Sequence, residues 1–305
     1  MLFRSARLKN NSLGNFKDLL KNVSSSPAML TYLNNIDNTY SSEEKNLNEN
    51  YAREFLELHT MGVNSGYTQE DVQEFTKILT GHTRFRFEIG NSSIKGYEDF
   101  VEQYKDFCGE NYVYKDFYVF CGNYHFNGDK KFLNHVIKNN NEKELDEVID
   151  ILVNHEATAN FISKKLYIYF VSDEPNDKVI KKMAKKFHET KGSISEVLKV
   201  LFLSDEFINS LKKPEKVKDT YTYIISILKT EFNHEFLKNT PEVINDVGNF
   251  LFLISGTPYD RSTPDGLSII GKDWLSSARF QEYIRSEEHT SELQSRLHLV
   301  CRLLL

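Results

Sequence analysis

Apolar side chains recur every three or four residues along most of the chain, and this period limits what it can fold into. Over residues 12–23 the repeat is Leu13, Phe16, Leu19, Leu20 and Val23. Pro27 suits the first turn of a short helix over 28–33, and the polar stretch 34–46 reads as a loop. The strongest period covers 48–61 and stops at Gly62, a residue type common just past a helix end. Thr68 is placed to cap a helix over 69–79, with Glu70 and Asp71 where the helix dipole favours acids, and Gly81 ends it. Helical periods return at about 142–153, 157–171, 177–189, 194–203, 215–229 and 241–254, and another starts at Trp274. Two aromatic, β-prone stretches, 83–89 and 113–120, suit a small antiparallel pairing. Residues 90–111 between them read as a surface excursion, and 257–273, with Pro258, Pro264, Gly266 and Gly271, as a long loop. The pattern predicts a mainly α protein, a single α-rich helical domain with a small antiparallel β insertion.

No apolar run reaches the roughly 18–20 residues of a membrane span. With 44 acidic against 38 basic side chains and a net charge of -6, the chain lacks the basic bias of a dedicated nucleic-acid binder, and no nucleic-acid partner is expected. The lysines Lys178, Lys181, Lys182, Lys185 and Lys186 read as a solvated helix face. Both ends look foreign. Residues 285–305 match a translated short-read sequencing adapter, and 1–5 match the opposite adapter. The natural part is therefore expected to be 6–284, a fragment of one helical domain, and its first residue says nothing about an export signal. Discounting the tail leaves Cys108 and Cys121 of the three cysteines. Their spacing of thirteen, without a CxxC, favours buried or half-exposed thiols over a disulfide or a metal site.

The densest information lies in 48–63, NENYAREFLELHTMGV. At helical spacing Tyr51, Ala52, Phe55, Leu56 and Leu58 share one face, while Glu49, Asn50, Arg53, Glu54 and Glu57 share the other. Arg53 has Glu49 and Glu57 four residues to either side, so it can pair with both. His59 points into the apolar face, where a histidine is more often a neutral core residue than an acid–base group or ligand.

This run, followed by GYTQEDV from Gly66 and LTGH from Leu79, resembles the signature of the bacterial family known as domain of unknown function 1800. Further matching pieces are LGNFKDLL, SPAMLTYL, an H-x-x-G-x-K at His125, Gly128 and Lys130, HEATANFISKKLYIYFV from His155, LSDEF ending at Phe207, and PDG with WLSSARF. The resemblance runs from about 11 to about 283. This chain departs from it at His82, where the family usually has Trp, and at Phe126, where it usually has Asp.

The resemblance implies that the polar helix face is more than solvated surface. The expected structural polar network is Asn48, Glu49, Asn50, Arg53, Lys130 and Lys165, with Lys165 meeting Glu49, Glu54 or Glu57 because a buried ammonium needs a counter-charge. Two functional readings follow. In the first, the protein is an exported or envelope-associated interaction or assembly protein. By resemblance its setting is periplasmic or secreted, and a sulfatase-like protein encoded nearby is a partner. In the second it is a hydrolase-like or metal-assisted enzyme, with Glu54, Glu57, His59 and His125 as catalytic candidates. Its E-x-x-E-x-H run matches no familiar zinc spacing, and no cofactor motif stands in a convincing context. His155 reads as a contact at a helix start, and Trp274 as a core anchor.

Overall fold

The structure, a computed structural model, describes residues 8–40, 45–85, 102, 105–109, 111–115, 117–214, 216–219, 221–222, 225–226, 229, 234–239, 245, 248–249, 252 and 263–275. The expected artefactual ends 1–5 and 285–305, and most of the excursion 90–111 and of the helices expected at 215–229, 241–254 and from Trp274, lie outside these residues. The protein is mainly α with small antiparallel sheets, and the chain divides into two compact units, 1–164 with 177–204 and 165–176 with 205–305.

In the first unit, α1 (Phe16–Ser24) begins where Asn15 caps it by accepting a hydrogen bond from Lys17 N at 2.8 Å. Leu13 precedes the helix and is exposed, so the apolar period holds only from Phe16 onward. Helix α2 (Pro27–Tyr32) opens on proline as expected. The polar stretch after it contains a 3-10 turn, Asn35–Asp37, and the short antiparallel pair β1 (Thr39–Tyr40) and β2 (Lys45–Asn46).

Helix α3 (Asn50–Glu54) does not continue as a plain α-helix. Residues Phe55–Thr60 form a π-helical turn. Met61 N bonds Leu56 O at 2.8 Å, and Thr60 Oγ1 donates to Phe55 O at 2.8 Å, both spanning five residues. Gly62 ends the turn at φ +89°, and a Cβ there would stand 2.6 Å from the Phe161 ring, so both backbone and space require glycine. Helix α4 (Gln69–Ile78) is closed by a reciprocal capping box. Thr68 N donates to Asp71 Oδ2 at 2.7 Å, and Asp71 N donates to Thr68 Oγ1 at 3.1 Å.

Strands β3 (His82–Arg84), β4 (Val113–Lys115) and β5 (Tyr118–Phe120) form an antiparallel sheet in the order β3-β5-β4, with His82 opposite Phe120. The stretch 113–120 is thus a hairpin rather than one strand, turned at Phe117 with φ +67°. This turn also corrects the cysteine expectation. It brings the Cys108 and Cys121 Cα atoms to 4.5 Å, and the two are joined as a disulfide buried with Phe85 and Val119. Sequence spacing does not register such a fold-back. A second hairpin, β6 (Lys130–Phe132) and β7 (His135–Ile137), turns through Leu133 and Asn134, both at positive φ as a two-residue loop of this kind needs. Asp71 Oδ1 accepts from Leu133 N at 2.8 Å and Glu74 Oε2 from Lys131 N at 2.9 Å, which ties the hairpin to α4.

Helix α5 (Glu144–Asn154) packs on α1, where Lys21 pairs with Asp146 at 2.8 Å. At the start of α6 (Glu156–Phe170), His155 Nδ1 accepts from Ala157 N at 3.2 Å, the contact expected of it. Helices α7 (Asp177–Glu189) and α8 (Ile194–Phe202) complete the unit as a hairpin joined by four residues. Edge-on rings, Phe55 on Phe75 at 5.3 Å and Tyr51 on Phe55 at 5.8 Å, hold the centre, with Phe132 tilted against Phe75 at 5.4 Å.

In the second unit, α9 (Asp205–Lys212) and α10 (His234–Asn239) are described. The Asp173 carboxylate gathers Gly271 N at 2.9 Å, Lys272 N at 3.1 Å and the Lys216 ammonium. These contacts hold Asp173 below the usual carboxylate range although burial opposes the shift. Trp274 is buried there, and its indole N–H donates to Ser268 O at 3.0 Å, so it acts as a core anchor.

Candidate functional site

Three ionisable side chains from three elements meet in the interior of the first unit. Lys130 Nζ, from β6, stands 2.6 Å from Glu144 Oε2 at the start of α5, 2.8 Å from Phe126 O and 3.1 Å from His125 Nε2. The Lys130 and Glu144 side chains are 0% exposed and that of His125 is 1% exposed. His125 Nδ1 donates to Thr80 O at 2.8 Å, which fixes the ring. The three Lys130 N–H groups have three acceptors, Glu144 Oε2, Phe126 O and His125 Nε2, and His125 Nε2 itself lies 3.2 Å from Glu144 Oε2. Glu144 Oε1 is taken by Asn140 N at 2.9 Å. The cluster leaves none of the Lys130 donors idle.

Burial pushes the Lys130 ammonium down, and its bond to Glu144 offsets part of that shift. Burial would raise Glu144, but His125 and Lys130 outweigh it and hold the carboxyl below its usual range. Phe126 joins the cluster through its backbone. Its N–H donates to Thr80 Oγ1 at 2.9 Å, its carbonyl accepts from Lys130, and its ring faces Lys130 Nζ at 5.3 Å and Lys77 Nζ at 5.2 Å.

His82 is also buried and belongs to the same neighbourhood. Its Nδ1 is 2.8 Å from Tyr118 Oη, and its Nε2 has no hydrogen-bond partner. Burial first, then the neighbouring His125 and Lys130, push His82 down to about 3, so the ring is neutral near pH 7. The Phe120 ring packs against both histidines, at 5.0 Å and 5.2 Å. Gly81, at φ +78°, lets the chain pass so close that a Cβ would lie 2.7 Å from Cys121 O.

The polar face of the 48–63 segment forms a separate assembly. Asn48 Oδ1 accepts from Asn50 N at 3.0 Å, Asn48 N donates to Asn38 Oδ1 at 3.1 Å, and Asn50 Nδ2 donates to Leu33 O at 3.1 Å. The buried Asn38 and Asn35 continue this chain to Thr76 O, Leu79 O and His82 O. Arg53 meets Glu49 at 3.0 Å and Glu57 at 3.8 Å, and Gln69 bridges Arg53 and Glu49 with two 2.8 Å bonds. The side chains of Arg53, Glu49 and Glu57 are 39%, 34% and 24% exposed, so this ladder is half in water. Tyr67 adjoins it. Burial, then the charge and hydrogen bond of Glu57, push its phenol up to about 12. Glu54 and His59 are half-buried on the same element, with the His59 ring edge-on to Phe55 at 6.0 Å.

Of the residues singled out from sequence, the structure therefore brings His125 to Lys130, and Asn48, Glu49, Asn50, Arg53 and Glu57 to one another. No hydrogen-bond partner of His125 comes from the helix carrying Glu54, Glu57 and His59. Lys165 lies in the second unit, and burial lowers its ammonium. Sequence reasoning missed Glu144 and Thr80. Glu144 had a readable signal, because it falls at i−4 and i−8 from the apolar Val148 and Leu152 and so on the buried face of α5. Among the described residues no group of three or more His, Cys, Asp or Glu side chains is arranged to hold a metal ion.

The fold and these two assemblies define a class: a helical protein whose signature residues are spent partly on a closed ionic core and partly on a half-open polar ladder. The chain belongs to the family described as Protein of unknown function (DUF1800), whose sequence model matches residues 2–297. No curated protein and no solved structure matches the chain.

Proposed function

We propose that this protein is an exported or envelope-associated interaction or assembly protein, and that its signature residues fix the fold that presents a binding surface. The observation that carries the reading is the closure of the His125–Lys130–Glu144 cluster. A catalytic constellation must meet its substrate in a concave opening, whereas these groups face one another with essentially no exposure. The Cys108–Cys121 disulfide supports export, since such bonds persist in oxidising compartments. By family resemblance, the sulfatase-like protein encoded beside family members is the partner to try first, and a periplasmic or secreted setting is the place to look. No described helix is long and apolar enough to cross a membrane.

The test is co-purification of the full chain with that sulfatase-like protein, with peptide mapping of the cysteines in the same material. The reading expects a co-eluting complex and a disulfide-linked Cys108–Cys121 peptide. Elution apart, or free Cys108 and Cys121 thiols in protein taken from its native compartment, would count against it.

One observation favours the enzymatic alternative. Glu57 is partly exposed, bonded to the Tyr67 phenol, and set on a π-helical turn, a distortion often found at functional sites. Under this reading Glu54, Glu57 and His59 carry hydrolase-like or metal-assisted chemistry, without His125. Turnover of chromogenic ester, phosphate or glycoside substrates that Glu57→Gln abolishes would establish it.

A further inference from the structure

The outer face of the α7–α8 hairpin carries an arrangement that nothing above uses. Helix α7 buries Val179, Ile180, Met183, Ala184 and Phe187, so its seat on the protein is fixed. Its opposite face presents Lys178, Lys181, Lys182 and Lys185, all exposed, at the i, i+3, i+4, i+7 spacing of a single stripe. The helix has five lysines against Asp177 and Glu189, in a chain whose net charge is -6. Glu189 is engaged by Lys186 at 2.7 Å and lies 3.9 Å from Lys185. Lys181 and Lys182 have no acid within ion-pair distance among the described residues. Like charges crowded along one stripe repel one another, and an external anionic surface would relieve that repulsion.

A second observation distinguishes among anionic partners. Helix α8 returns antiparallel to α7 after four residues, which places its C-terminal end level with the first half of α7, where Lys178, Lys181 and Lys182 stand. That end carries Leu203, 80% exposed, next to Phe202 at 37%. Nucleic acid or a polyphosphate has no use for an exposed leucine. A bilayer takes up both features, phosphate headgroups against the lysines and an apolar side chain at the acyl boundary.

We propose that the α7–α8 hairpin docks reversibly on an anionic phospholipid surface through Lys178, Lys181, Lys182 and Lys185, with Leu203 as the apolar contact. The choice of a bilayer agrees with the envelope setting proposed above, but the contact stands on this face alone and is tested without reference to compartment or protein partner. Each lysine near an anionic leaflet adds a modest increment, so the docking is weak and salt-sensitive.

The experiment is co-sedimentation of the full chain with vesicles of equal parts phosphatidylglycerol and phosphatidylcholine, beside pure phosphatidylcholine vesicles. Binding is expected to the anionic vesicles only and to be lost in molar salt. Lys181→Gln with Lys182→Gln should weaken it about 30-fold. Both positions are exposed, so the variant keeps the wild-type circular dichroism spectrum. Leu203→Ser, which removes the apolar contact without adding charge, should weaken binding without altering its salt dependence. Failure to sediment with anionic vesicles, or equal binding by the double-glutamine variant, overturns the proposal. Binding to a DNA duplex at least as tight, and unaffected by Leu203→Ser, would overturn the bilayer assignment in favour of generic polyanion attraction. None of these outcomes bears on whether the sulfatase-like protein co-purifies.

Discussion

Acid should destabilise this protein well before its carboxylates titrate, and His82 is the reason. In the folded chain burial and two nearby basic groups hold its pKa at about 3, against an ordinary value of 6.5. Above pH 6.5 the ring is neutral in both states and contributes nothing to pH dependence. Between 6.5 and 3 the unfolded chain binds a proton that the folded chain refuses, so stability falls as pH falls, at about 1.4 kcal/mol per pH unit for one proton. By about pH 4.5 the loss from this residue alone is roughly 2.7 kcal/mol, a large share of a typical domain's stability. His82→Phe isolates the effect. It removes the titrating ring at a constant cost, chiefly the loss of a partner for Tyr118 Oη, now 2.8 Å from Nδ1. Urea unfolding followed by far-ultraviolet circular dichroism at several pH values gives the difference between the two chains. That difference should be flat above pH 7 and move in favour of the variant by about 1.4 kcal/mol per unit below 6.5. Other groups shifted by folding, such as His155 and Glu144, are common to both chains and drop out of the difference. Parallel curves from pH 7 to 4.5 would refute the reasoning, since they would mean that His82 takes up its proton in the folded state.

Three further outcomes follow from the same geometry. Lys130→Met leaves Glu144 charged and buried beside His125 and should cost about 3–5 kcal/mol in urea unfolding, while Lys130→Met with Glu144→Leu should recover much of that loss; equal costs for single and double variants would mean the pair is not coupled. Replacing Cys108 and Cys121 with serine should lower stability by about 3 kcal/mol, as expected for a loop of this length, and an unchanged urea midpoint would show that the bond does not form in the folded protein. Gly62→Ala should cost about 2 kcal/mol because it combines positive φ with a Cβ 2.6 Å from Phe161, and in a Phe161→Ala background only the smaller backbone part should remain.

The helices were legible where an apolar period ended in local chemistry that needs no distant partner. Thr68 with Asp71, Pro27 and Gly62 each mark a terminus by their own backbone preferences, and the observed bounds fall within a residue or two of them. The pairing of Arg53 with Glu49 and Glu57 was legible for the same reason, since i to i+4 neighbours are fixed by the helix itself. What escaped depends on the chain returning to itself. The Cys108–Cys121 bond needs the β4–β5 turn, and the β6–β7 turn uses Leu133 at φ +46°, a residue type that announces no such conformation. The π-helical turn leaves the apolar period nearly intact, so a reading at 100° per residue passes over it. Lys130 was singled out by resemblance alone, because alternation in a three-residue strand is too short to show that its outward-looking lysine points in.

The two polar assemblies differ in a way that decides how mutations should be read. Every bond of the His125–Lys130–Glu144 cluster is internal, so no ligand can reach it without the surrounding sheet and α5 opening. A substitution there is expected to act on binding or activity through the fraction of folded chain. The Glu49–Arg53–Glu57 ladder is half exposed and bridged by Gln69, whose own side chain is at the surface. Exposed pairs of this kind contribute little to stability, on the order of 0–1 kcal/mol. A half-exposed ladder that contributes so little to folding is open to a contact with another molecule. Arg53→Gln should therefore leave the urea midpoint nearly unchanged while weakening whatever contact the protein makes, whereas Lys130→Met should shift the midpoint strongly and leave the affinity of the remaining folded molecules intact. Measured on the same partner, the two variants separate the residues that hold the structure from those that use it. A large stability loss in Arg53→Gln with unchanged affinity would assign the ladder, too, to the scaffold.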